Sequence, residues 1–148
     1  MKTPKETSHI GRVIEQYHKM LNEFSRGNPQ SAKIMYSHKD DVTLANPFGV
    51  IAIGWKQVSD ALDYASSRFR DGEVKEVELV CKYASSEQLT IFEVEKWKSK
   101  VGGEEELSRF ELRVTSTFRF EDKEWKLVHR HADPISSFHE KGPLRGEH

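Results

Sequence analysis

The chain has 148 residues, of which 36% are hydrophobic and 32% charged, and its net charge is −1. That length suits one domain with a real core, and the even mixture of acidic and basic residues excludes the concentrated cationic face of a nucleic-acid binder. No stretch approaches the roughly 20 apolar residues of a membrane span, and the lone Cys81 rules out an internal disulfide. The polar start, Met1 to Ser8, does not read as a signal peptide, so a cytoplasmic location is expected.

The first element is a helix. Ile10, Val13, Ile14, Tyr17, Met20, Leu21 and Phe24 recur at three- and four-residue spacing and so share one face. Thr3, Pro4 and Glu6 fit an N-cap, first position and capping box. Gly27 predicts the end, and Asn28-Pro29 the start of a short second helix through Met35.

The period then changes. Val42 to Asn46 reads as a strand halted by Pro47 and Gly49, with Val50 to Ile53 as a short partner. A third helix follows Gly54, with Val58, Ala61, Leu62, Ala65 and Phe69 on its apolar face, ending before Asp71-Gly72. Beyond it the pattern alternates. Val77, Leu79, Cys81 and Tyr83 share one parity, with Cys81 as a small buried hydrophobe. Leu89 to Trp97, Phe110 to Phe120 and Trp125 to Ala132 are further strands, joined at Gly102-Gly103 and at Glu121 to Glu124. The order α-α-β-β-α-β-β-β-β excludes a doubly wound parallel sheet and predicts an α+β fold with a mostly antiparallel sheet. The expected layout is one domain over 1–148, ordered from about 8 to 134, with a frayed polar tail over 136–148.

Three segments carry a family resemblance. Glu15-Gln16-Tyr17-His18-Lys19-Met20-Leu21 is similar to the long first helix of the SnoaL-like, or nuclear transport factor two-like, superfamily. Asp40 to Gly49 resembles its Asp-Asp-x-Thr-x-x-x-Pro-x-Gly strand and turn, and Trp125 to Pro134 resembles its closing Trp-x-x-Val-x-x-His strand. The resemblance implies a cone-shaped, cystatin-like fold in which three N-terminal helices pack on a curved sheet. It also implies a pocket, and a homodimer formed through the outer sheet face. Members include isomerases, cyclases, dehydratases and non-catalytic association domains, so function must be argued at the pocket.

Ketosteroid isomerase, one such relative, uses a carboxylate base, a tyrosine and a protonated carboxylic acid. The resemblance places these roles on Asn46, Tyr17 and a position on or near Ser116. An amide has no useful basicity, so Asn46 cannot abstract a carbon-bound proton and that isomerisation is not expected. Tyr17 reads either as a core tyrosine or as a donor at the cavity mouth. Asn46 reads either as a turn cap or as a ligand contact.

His129 and His131 lie two apart on a strand and so share a face, and Asp133 extends the spacing to His-x-His-x-Asp. Without a third convergent ligand no metal is expected there. His131 matches the recurrent C-terminal histidine of the resembled family and is, with Tyr17, the candidate catalytic residue. With Phe120 opposite Trp125, the face of Ser116 and Phe118 also carries His129 and His131. A one-residue bulge would instead set Arg113 and Thr115 beside the histidines, and the register is open at this stage. The candidate ligand contacts are Tyr17, Asn46, Trp55, Ser116, Phe118, His129 and His131. The expected activity is binding of a small apolar or carbonyl-containing molecule, any catalysis being of isomerase, cyclase or lyase type without metal or cofactor, or else a homo-oligomerising association role.

Overall fold

The computed structural model describes residues 4–135. The predicted cap at Thr3 and the tail over 136–148 lie outside the described residues. Helix α1 spans Pro4–Ser25, α2 Gln30–Met35 and α3 Trp55–Ser67. Strands β1 (Thr43–Ala45) and β2 (Ile51–Ile53) precede α3, and β3 (Phe69–Ala84), β4 (Gln88–Val101), β5 (Ser108–Glu121) and β6 (Glu124–Ile135) follow it. The order of elements is the one the periodicity predicts.

All six strands form one sheet in the order β2-β1-β6-β5-β4-β3. Every neighbouring pair is antiparallel except β1 and β6. Helix α1 buries Ile10, Val13, Tyr17, Met20 and Leu21, which meet Leu89, Ile91, Val114, Phe118 and Leu127 of the sheet in one core. At the end of α1, Gly27 N–H donates to Phe24 O and Asn28 N–H to Glu23 O, which closes the helix in a Schellman arrangement. Gly27 takes φ 91° there, and an added Cβ would lie 2.9 Å from Phe69 O, so any side chain would be both strained and crowded.

Two expectations change in this region. Phe69 begins β3 and is not the last apolar position of α3, which stops at Ser67. Its ring packs among Phe24, Phe48, Trp97 and Phe110, with centroids 5.1 to 6.2 Å apart. That aromatic cluster overrides the helical spacing. Nor do Val77, Leu79, Cys81 and Tyr83 share a face. A register shift between Leu79 and Cys81 sets Leu79 opposite Glu93 and Cys81 opposite Phe92, whose side chains lie on opposite faces of β4. Cys81 is accordingly half-buried.

Candidate functional site

Strand β4 explains the site's chemistry. Its buried positions alternate as Leu89, Ile91, Glu93, Glu95, Trp97 and Ser99, so two carboxylates point into the core. Glu93 is 1% and Glu95 0% exposed. A buried carboxylate must be paired or strongly hydrogen-bonded, and the partner of Glu95 comes from β6.

Phe120 does oppose Trp125, but the ladder slips between Thr117 and Phe118, so that Phe118 faces Leu127 and Thr117 faces His129. Val128 is the extra residue. Beyond this bulge the parity of β6 is reversed: Arg130 pairs with the buried Ser116 and Ala132 with the buried Val114. The histidines turn to the other face. His129 stands beside Thr43 and Thr117, and His131 beside Ala45 and Thr115.

Arg130 Nη1 and Nη2 then grip Glu95 at 2.7 and 2.8 Å, a two-pronged pair of the strong kind. The same Nη1 donates to the Tyr17 hydroxyl at 2.6 Å, and that hydroxyl lies 2.5 Å from Ser116 Oγ. Trp97 Nε1 donates to Glu95 Oε1, the oxygen that Nη2 also binds, at 2.9 Å. Burial pushes the Tyr17 hydroxyl up to about 12, against the nearby Arg130 charge and with that of Glu95. Burial also works against the Arg130 charge, but Glu95 and Tyr17 outweigh it and hold the guanidinium protonated well above its ordinary range. Glu93 is served from α1, where His18 Nε2 lies 2.6 Å from Oε2, while its buried Oε1 has no partner among the described residues.

In front of Arg130 lies a cavity of about 210 Å³. Met20, Leu21, Phe24, Leu62, Phe69 and Trp97 form part of its wall, and Pro47 and Phe48 come from the β1–β2 turn. Its polar lining side chains are Tyr36, Asn46 and Arg130. Tyr36 donates its hydroxyl to Thr43 O at 2.7 Å, and burial pushes that hydroxyl far above its ordinary range. Asn46 Oδ1 accepts from Phe48 N–H at 3.0 Å and Val50 N–H at 3.4 Å, which pins the carboxamide across the turn. Its Nδ2 is buried with no partner among the described residues.

Of the seven candidate contacts, Asn46 alone lines this cavity. Tyr17 and Ser116 sit one layer behind, joined through Arg130, and Phe118 packs edge-on against Tyr17 at 5.1 Å. Trp55 stacks on His38 at 3.8 Å, away from the wall. His131 is half exposed and pairs with Asp133 at 3.1 Å. His129 Nδ1 shares a hydrogen bond with Thr43 Oγ1 at 2.7 Å, and burial, helped by His131, lowers its pKa. Among the described residues no group of three or more His, Cys, Asp or Glu is gathered for a metal.

Arg130, Glu93 and Glu95 escape sequence reasoning. In β4 the apolar Phe92 and Val94 occupy the alternate parity and make the glutamates look solvent-facing, while the Val128 bulge hides Arg130. The available signal is the unbroken alternation Leu89, Ile91, Glu93, Glu95, Trp97, which carries both acids on the parity of the core residues.

A mostly antiparallel sheet packed with helices around an apolar cavity defines the class of small α+β domains to which this chain belongs. The SnoaL-like domain family matches residues 10–135, and the chain belongs to that family. A nuclear transport factor 2-like superfamily protein of Salmonella enterica serovar Typhimurium superposes with TM-score 0.73 at 13% identity, covering 95% of this chain and 96% of that one. A ketosteroid isomerase-like protein of Erwinia carotovora atroseptica gives 0.69 at 15% identity, covering 91% and 100%. A proposed calcium/calmodulin-dependent kinase II association domain of Exiguobacterium sibiricum gives 0.66 at 13% identity, covering 93% and 99%. No curated protein sequence matches significantly. No described helix is long and apolar enough to cross a membrane.

Proposed function

We propose that the protein binds a small apolar molecule in the cavity in front of Arg130 and does not act on it by acid–base chemistry. The observation that carries this reading is the make-up of the wall. Its ionisable side chains are Tyr36 and Arg130, the one committed to Thr43 O and the other to Glu95 and Tyr17. Neither can accept a proton near neutral pH, so proton abstraction has no agent among the described residues of the wall. At about 210 Å³ the space exceeds the roughly 150 Å³ that holds one benzene ring, so one or two fused rings fit. Thermal denaturation with small aromatic hydrocarbons and ketones tests the reading. A ligand at a hundredfold its Kd raises stability by about 2.7 kcal/mol, and no shift with any of them would defeat it.

A second reading, self-association, is favoured by the outer sheet face. One row across all six strands runs Ile53, Thr43, His129, Thr117, Thr90, Tyr83, and the next runs Ile51, Ala45, His131, Thr115, Phe92, Cys81. These rows carry no carboxylate, lysine or arginine, and Ile51 and Tyr83 are 79% and 70% exposed. A face of that extent without carboxylate, lysine or arginine, and with Ile51, Ile53 and Tyr83 exposed on it, suits a second copy of the chain. Sedimentation showing a monomer at high micromolar concentration would exclude this role. Both functions are compatible in one molecule, because cavity and outer face lie on opposite sides of the sheet.

A further inference from the structure

We infer that association of two copies through the outer sheet face is gated by pH, with His129 as the gate; this rests on the self-association reading above. The two uncharged rows cross the strands in the order β2-β1-β6-β5-β4-β3, so their midpoint falls between β6 and β5. Four residues surround it, His129 and Thr117 in one row and His131 and Thr115 in the next. In a two-fold dimer centred on a patch, the residues at the centre meet their own copies. The histidines of one copy therefore face those of the other.

The face is large enough for such a dimer. With strands about 4.8 Å apart and outward side chains about 6.7 Å apart along each, the two rows and the rows flanking them cover about 600 Å². A stable interface needs roughly 500 Å² from each partner. The flanks carry both signs, with Asp133 opposite Arg113 on one side and Arg119, held by Asp41, on the other. No rim of a single sign repels a second copy.

His131 has a carboxylate to answer its charge, because Asp133 Oδ2 lies 3.1 Å from its Nε2. His129 has none. Its Nδ1 meets Thr43 Oγ1 of β1 at 2.7 Å, Thr117 stands opposite on β5, and the His131 ring follows along β6 at 6.5 Å. The charged groups beyond these are Asp133 on β6, Arg119 on β5 and Asp41 ahead of β1, and Arg119 grips Asp41 with two prongs. In a single copy burial lowers the His129 pKa, and His131 adds to the effect. A second copy over the face removes more water from the ring and brings more imidazoles near it, and both act in the same direction. Neutral imidazoles and threonine hydroxyls each donate and accept, so they can satisfy one another in a closed interface, whereas an imidazolium only donates.

The ring thus binds its proton less readily in the dimer than in a single copy, and acid favours the separate copies. The change falls below pH 6.5, because the His129 pKa is already lowered from that value before association. Each dimer holds two copies of His129, so Kd rises there by up to about 100-fold per pH unit.

Sedimentation of the wild-type chain between pH 8 and pH 5.5 is the test, with circular dichroism confirming the fold at each pH. A constant Kd is expected from pH 8 to 7, and one at least about tenfold higher at pH 5.5. His129→Gln should dimerise with a Kd that stays level over the whole range, while His131→Gln should keep the loss. The imidazole proton resonances of the wild type give a check that needs no variant: one histidine should titrate at lower pH as the protein concentration is raised through Kd. A wild-type Kd equal at pH 8 and 5.5 overturns the gate and leaves self-association standing. A pH dependence that vanishes in His131→Gln but persists in His129→Gln overturns it as well. A monomer at every pH and at high micromolar concentration removes both.

Discussion

Replacing Arg130 with Met strips a fully buried carboxylate of its counter-charge. Glu95 would lose both prongs at 2.7 and 2.8 Å, and Tyr17 would lose the 2.6 Å bond from Nη1. Breaking one side of such a pair costs about 3–5 kcal/mol, because the abandoned charge stays in a low-dielectric site. The converse variant, Glu95→Leu, abandons the guanidinium and should cost a comparable amount. The double variant Glu95→Leu, Arg130→Met removes both charges together. Its residual penalty is the Trp97 Nε1–H, which loses its 2.9 Å acceptor, or about 1–3 kcal/mol. The two singles should therefore overestimate the double by about 3 kcal/mol or more, which urea denaturation in a double-mutant cycle resolves. Additive losses, or Arg130→Met costing under about 1 kcal/mol, would refute the account of the core as organised around this pair.

Further outcomes follow from the same physics. An alanine at Gly72 would put its Cβ 2.5 Å from Ser25 O and 2.7 Å from Ser99 Oγ; the carbonyl ends α1 and cannot retreat, so a loss of about 1–3 kcal/mol is expected in chemical denaturation. His18→Ala removes the partner of Glu93, leaving a 1% exposed carboxylate without one, whereas Glu93→Met removes the burial problem itself. The histidine variant should therefore be the less stable, and equal melting temperatures would contradict the pairing. His129 has its pKa lowered from 6.5 by burial and then by His131. The folded state thus resists its protonation, and stability present above pH 6.5 falls as pH drops through that value. Asp41, lowered from 3.8 by its hydrogen bonds to Arg119, adds a separate loss only below that pH. Melting curves from pH 8 to 5 should decline less for His129→Gln than for wild type.

Local pattern by itself determined the elements and their order. The apolar stripe from Ile10 to Phe24, the stops at Gly27 and Pro47, and the alternation after Val77 are short-range signals, and each produced the element it predicts. The same signals, with the turn around Asn46, sufficed to indicate the α+β class and the resemblance that family membership bears out. What escaped was which face each strand residue takes. Side-chain direction in a sheet has a period of two, so a single extra residue reverses everything beyond it. Val128 does this in β6, turning Arg130 inward and His129 and His131 outward. The shift between Leu79 and Cys81 does it again in β3. Such bulges are settled by pairing across strands far apart in sequence. The charge network obeys the same logic: Glu95 and Arg130 are 35 residues apart, and neither would tolerate burial without the other. Only the tertiary structure brings them together, and so only it shows that the arginine among the cavity's lining residues carries a neutralised guanidinium.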